Sequence, residues 1–266
     1  MQEHRRCGEL DPMWKEDISS RRIRCVATEV PGEYGAGSQQ RNRLGSSTVR
    51  DYKETPMDLA TVDKLLTTTR SVRRRLDLKR TVDPTLIEQC LEIAVQAPQG
   101  SKGFRYHFIV VTDPAKRKTL ADLYRRAFDT FYPPEGLAAL RKTDPRNVPS
   151  WTALVDHFQD VPTLIIPCVE GRPEGLKPER LAGLYGNILP ITWSLMLALR
   201  ARGVGAAWTT IVFTYEKEVA ALLGIPENLT PAVCLPVAYF TGDDFKPAKR
   251  IPASERTYWN TWGARR

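Results

Sequence analysis

The stretch PERLAGLYGNILPITWSLMLALRAR, residues 178–202, has helical spacing but no continuous polar face: Leu181, Leu184, Ile188, Leu189, Ile191, Trp193, Leu195, Met196 and Leu199 surround the axis. A helix that is apolar nearly all round must be covered on several sides, so it is either central to a core or pressed against a second subunit. TLIIPCVE, Thr163 to Glu170, makes a similar demand of a strand, because a short continuous apolar run is the mark of burial on both faces.

The other segments supply partners for these two. MDLATVDKLLTTTRS places Leu59, Val62, Leu65 and Leu66 at helical spacing. Asp83-Pro84 is a helix start, an N-cap followed by proline where no N–H is needed, and an apolar face then runs from Leu86 to Val95. FRYHFIVVTD reads as a strand, and Asp113-Pro114 opens a helix carrying Leu120, Leu123, Tyr124, Ala127, Phe128 and Phe131. Pro133 to Ser150, rich in proline, glycine and charge, reads as irregular and as a candidate mobile cover. Beyond Gly203, GAAWTTIV reads as a strand, YEKEVAALLG as a helix and TPAVCLPVAYF as a last strand. Strands separated by helices give an α/β or α+β layered domain around one sheet.

Residues 1–56 have neither helical nor strand period, and their ten Lys/Arg nearly balance nine Asp/Glu. We expect a disordered or dispensable extension there, with the folded domain spanning 57–266. The body then carries about +7 of the formal +8 charge, which permits anionic partners without choosing among them. Neither a recognition motif nor aromatic interleaving accompanies the basic residues, so nucleic acid is not expected as a partner. No membrane partner is expected either: no run reaches the roughly 18 consecutive apolar residues of a spanning helix, and no secretory h-region opens the chain. The expected location is cytoplasmic. The cysteines at 7, 25, 90, 168 and 234 stand apart from one another and from the three histidines; they read as small hydrophobes, and no metal site is expected.

TTRSVRRRLD packs Arg70, Arg73, Arg74 and Arg75 around Ser71. With EIAVQAPQGS, RARGVGAAWTT, LLGIPENLTPAVCLPVAY and the late AKRIP, it resembles the nitroreductase superfamily of homodimeric FMN-dependent oxidoreductases, from Met57 to the end. The resemblance implies an α+β fold: a three-layer α/β/α sandwich with a central, mostly antiparallel sheet. It also implies a site at the interface of a homodimer. The family pattern Arg-Arg-Ser-x-Arg falls on Thr69, Arg70, Ser71, Val72 and Arg73, so Arg70, Ser71 and Arg73 carry over as contacts to the FMN phosphate, ribityl arm or ring. Arg250 carries over as a second phosphate contact. Guanidinium groups suit that task, being planar, permanently charged donors for phosphate oxygens. Arg74 and Arg75 read as surface charges.

The family's turn A-P-S-G-x-N-x-Q-P-W reads here Ala97, Pro98, Gln99, Gly100, Ser101, Lys102, Gly103, Phe104, Arg105, Tyr106. Pro98, Gln99, Gly100, Ser101 and Lys102 are thus implied beside the flavin, with lysine replacing the family's asparagine and phenylalanine its glutamine. Lys102 could stabilise a reduced, anionic flavin or point to solvent. Trp208, Thr209 and Thr210 match the segment over the flavin ring, although Trp208 also reads as a core residue. The implied activity passes a hydride from NAD(P)H through flavin N5 to an electron-poor small molecule, a nitroaromatic or quinone, in ping-pong order and with no catalytic side chain. The altered turn also admits an FMN-binding or storage protein with little turnover.

Overall fold

The structure, a computed structural model, describes residues 57–100 and 105–266. The expected extension at 1–56, Cys7, Cys25, Ser101 and Lys102 lie outside the described residues.

Five strands form one sheet: β1 (Tyr106–Val111), β2 (Thr163–Glu170), β3 (Val204–Ala206), β4 (Leu229–Pro231) and β5 (Leu235–Tyr239). The order is β1-β2-β5-β3, with β4 also paired to β2 and every strand pair antiparallel. Among the described residues seven α-helices accompany it: α1 (Leu59–Thr68), α2 (Pro84–Ala94), α3 (Pro114–Phe131), α4 (Pro134–Thr143), α5 (Val148–His157), α6 (Pro178–Arg200) and α7 (Glu216–Leu223). Asp58, Asp83 and Asp113 cap α1, α2 and α3 by accepting backbone N–H groups, at 3.1, 2.9 and 2.8 Å for the shortest of each.

The two faces of β2 build two cores. Leu164, Ile166 and Cys168 pack with α3, α5 and α7 side chains, while Ile165 and Val169 pack with α2 and α6. The strand is buried at every position except Glu170, as a strand covered on both faces must be. This is the three-layer α+β arrangement, with α6 lying in the α2 layer. By length and hydropathy alone α6 passes for a membrane span; here Ile188, Ile191, Leu195 and Leu199 are fully buried against the sheet side.

Three details differ from expectation. Pro133 to Ser150 is not irregular, because Pro134 and Pro149 occupy first turns of α4 and α5, where a missing N–H costs no helical bond. The stretch GAAWTTIV stops pairing at Thr209, and Ile211–Tyr215 is a 3-10 helix. TPAVCLPVAYF splits into β4 and β5 around a bulge: Pro231 opposes Cys168 and Leu235 opposes Ile165, so one chain spends one more residue than the other. The bulge places Cys234 against Thr209.

Candidate flavin site

The chain leaves α1 in an extended conformation and runs beside β3. Ser71 bridges Ala206 in parallel, the Val72 N–H donates to the Ala206 carbonyl at 2.9 Å, and Ser71 Oγ accepts the Trp208 backbone N–H at 2.9 Å. Gly205 makes this approach possible, since a Cβ there would stand 3.1–3.3 Å from three Val72 side-chain atoms.

A cleft of about 800 Å3 opens beside this segment and brings together Arg70, Ser71, Arg73, Arg146 and Arg250, with Trp193 of α6 in its wall. Four guanidinium groups and no carboxylate line it among the described residues. Arg73 is the most telling of the four. Burial pushes its pKa down, with only the neighbouring Tyr124 acting in the other direction, and it makes no ion pair with a described residue. A half-buried cation without a countercharge is costly unless an anion joins it. Arg70 donates to the Lys246 carbonyl and lies 5.7 Å from the Phe245 ring centroid, which ties the Arg70 segment to the chain leading to Arg250.

That tie is part of a larger clamp. Arg75, expected at the surface, instead donates to the carbonyls of Thr241, at 2.6 Å, and Asp243, and stands 4.3 Å from the Phe245 centroid. Arg200 covers Phe240 and Phe245 from 4.9 and 5.2 Å. Asp244 accepts from Arg200 and, at 2.7 Å, from Lys64. Lys64 together with the Phe245 N–H and Arg200 holds the Asp244 carboxyl well below the usual carboxylate range.

A second pocket, of about 400 Å3, is lined by Tyr185, Leu189, Trp208, Thr210 and Phe213, with Glu216 at its edge in an ion pair with Arg172. Tyr185, Leu189 and Trp193 recur every four residues and so share one face of α6. The aromatic pocket, lined by Tyr185 and Leu189, and the arginine cleft, lined by Trp193, therefore lie along one ridge, with Leu189 and Trp193 about 6 Å apart at the helical rise, and the Ser71–Trp208 hydrogen bond joins them.

The remaining expected residues separate. Thr210 is exposed in the aromatic pocket, whereas Thr209 is buried and exchanges backbone hydrogen bonds of 3.1 and 2.9 Å with Cys234. Trp208 combines both of its expected roles, packing on the α2–α6 core while lining the pocket. Pro98, Gln99 and Gly100 stand elsewhere. The Gly100 N–H donates to Asn187 Oδ1 at 2.7 Å, Gln99 Nε2 to the Tyr106 hydroxyl at 3.3 Å, and Pro98 lines a groove with Ile93 and Leu197. Asn187 sits about 200° around α6 from Leu189, so within one chain this turn is on the far side of the ridge. Burial pushes the thiols of Cys168 and Cys234 up to about 12, which leaves them inert small hydrophobes.

Sequence reasoning missed Arg146, Asn187 and the clamp. Asn187 was signalled as the polar residue of a helix otherwise apolar over two turns; Arg146 carried no signal apart from its charge.

Residues 66–239 match the Nitroreductase family model. Among solved structures the chain is similar to iodotyrosine deiodinase bound to FMN and 3-iodo-L-tyrosine (20% identity, 74% of this chain and 98% of that one, TM-score 0.56). It is similar also to a variant of an FMN and NADPH-dependent nitroreductase from Sphigopyxis sp. strain HMH (20% identity, 75% and 99%, TM-score 0.55). A third match is a nitroreductase-like family protein from Bacillus cereus (19% identity, 74% and 95%, TM-score 0.53). At these identities the likenesses speak to the fold, and the family match covers most of the described chain: this protein belongs to the nitroreductase family, an FMN oxidoreductase group.

Proposed function

We propose that the chain is an FMN-dependent NAD(P)H oxidoreductase acting as a homodimer on an electron-poor small molecule. The observation that carries this reading is the α6 ridge, with a carboxylate-free arginine cleft at one end and an aromatic pocket at the other. FMN is built on the same plan, an anionic phosphate joined by a ribityl arm to a flat ring system. Arg73 and Arg250 would hold the phosphate, Ser71 the arm, and Trp208, Thr210 and Tyr185 the ring. Because Arg73 is half-buried and lacks a countercharge among the described residues, the cleft fits the dianion better than it fits water.

When bound, FMN would supply the redox chemistry, a hydride exchange between NAD(P)H and a nitroaromatic or quinone. The protein's share is placement. Ser71 fixes the Trp208 backbone, the Cys234 bridge fixes Thr209, and Thr210 is left free to donate to the ring. The aromatic walls formed by Tyr185, Trp208 and Phe213 would exclude water from the ring and leave room for donor and acceptor in turn. Among the described residues no side chain in either pocket is poised as a general acid, Glu216 being held by Arg172, and water can supply the protons. A second copy completes the site: the Pro98–Gly100 turn, remote from the ridge of its own chain, would reach the neighbouring chain's flavin.

The purified protein is expected to show a flavin spectrum that bleaches on anaerobic addition of NADPH or NADH and returns with a quinone. Bound flavin that stays oxidised would favour a storage role, and absence of flavin binding would contradict the proposed site.

A further inference from the structure

We infer that Arg146 gives the cleft a second anion position that selects a reductant bearing a phosphate monoester, NADPH over NADH; this rests on the flavin reading above. The cleft is larger than a flavin phosphate requires. At about 800 Å3 it falls within the roughly 300–1,000 Å3 that takes a whole small molecule, and its cationic groups come from separate parts of the chain. Arg70, Arg73 and Arg250 stand on the wall made by the chain after α1 and by the C-terminal segment, which Arg70 links through the Lys246 carbonyl. Arg146 enters from a different element, the corner between α4 and α5, with Asn147 and Ser150 as neutral neighbours in the lining.

The corner's own acid does not neutralise it. Asp144 is engaged locally, accepting the Asn147 N–H at 3.2 Å and its side-chain amide at 2.7 Å. Arg146 forms no ion pair with any described residue. One phosphate dianion is satisfied by two guanidinium groups binding it bidentately, so Arg73 and Arg250 suffice for the flavin, and Arg146 is surplus to it. Trp193, 38% exposed, presents an indole in the same cleft, a surface on which a nucleotide base can stack. A cation beside an exposed aromatic ring fits a phosphorylated nucleoside, and of the two nicotinamide dinucleotides only NADPH carries a monoester on its adenosine ribose.

The test uses the FMN-loaded protein, titrated calorimetrically with adenosine 2′,5′-bisphosphate and with adenosine 5′-monophosphate, alongside the FMN dissociation constant from fluorescence. The wild type is expected to bind the bisphosphate about tenfold more tightly, the size of one charge-assisted contact. Arg146→Ala should abolish that preference and Arg146→Lys keep part of it, with FMN affinity altered less than about twofold in both. A wild type without preference, or a preference that survives in Arg146→Ala, would overturn the inference. So would an Arg146→Ala protein whose loss falls on FMN, since Arg146 would then belong to the flavin phosphate. A wild type that binds no FMN would instead overturn the flavin reading, and this inference with it.

Discussion

Arg73 is where charge and burial meet in the proposed phosphate cleft. Its guanidinium is partly desolvated and faces Tyr124, a buried phenol stacked on Phe158 at 4.3 Å. A bound dianion would add the missing countercharge, and a charge-assisted hydrogen bond contributes about 1.5–3 kcal/mol. Arg73→Ala is therefore expected to raise the FMN dissociation constant about 10–100-fold, measured by quenching of flavin fluorescence, while the helical content stays that of the wild type. Gly205 offers a separate test. In Gly205→Ala the added methyl meets Val72 at 3.1–3.3 Å, and overpacking of this kind costs about 1–3 kcal/mol, to be read from urea denaturation; it should also loosen the Ser71–Trp208 contact. At this scale the sequence told most where the chemistry is local. Arg70, Ser71 and Arg73 share one short extended segment, and their charge has few other uses. Asn187 and Arg146 acquire meaning only when the fold sets Asn187 against Gly100 and brings Arg146 into one cleft with Arg73 and Arg250, none of them near in sequence.

Among the elements, α6 organises the site. One side fills the core with Ile188, Ile191, Leu195 and Leu199; another supports the Gly100 turn through Asn187; a third carries Tyr185, Leu189 and Trp193 along both pockets. Its apolar circumference predicted heavy burial but not which side would face a ligand, because leucine and tryptophan serve both purposes. The strand TLIIPCVE was legible to the residue, since double-sided burial leaves an unbroken apolar run. The α4 and α5 helices were not, because prolines in first turns look like breaks unless the capping position is known. The clamp around Phe240 and Phe245 holds α1, α6 and the C-terminal segment together through Asp244. Since hydrogen bonds from Lys64, the Phe245 N–H and Arg200 lower the Asp244 pKa, its contribution to stability is fully present above the ordinary carboxylate value, about 3.9, and is lost as pH falls through the depressed folded value. Asp244→Asn should remove that part of the acid dependence of the thermal midpoint. It should also weaken FMN several-fold, since Arg250 would lose its anchored approach to the cleft.

For the whole molecule, apolar surface remains on the described chain. Trp262 is 89% exposed and Trp259 49%, and Met57, Leu59, Leu66 and Ile251 are each at least half exposed. In the proposed homodimer part of this surface would be covered, and the Pro98–Gly100 turn, on the far side of α6, would reach the flavin of the second chain. Sedimentation is expected to give twice the chain mass, and a monomer that still binds and reduces flavin would contradict the composite site. The most direct test of flavin recognition compares FMN with riboflavin, which has the same ring and ribityl arm but no phosphate, for binding to the apoprotein. If the arginine cleft holds the phosphate, FMN binds at least about 100-fold more tightly at low salt, and Arg73→Ala erases most of the difference. Equal affinities for the two flavins would contradict it.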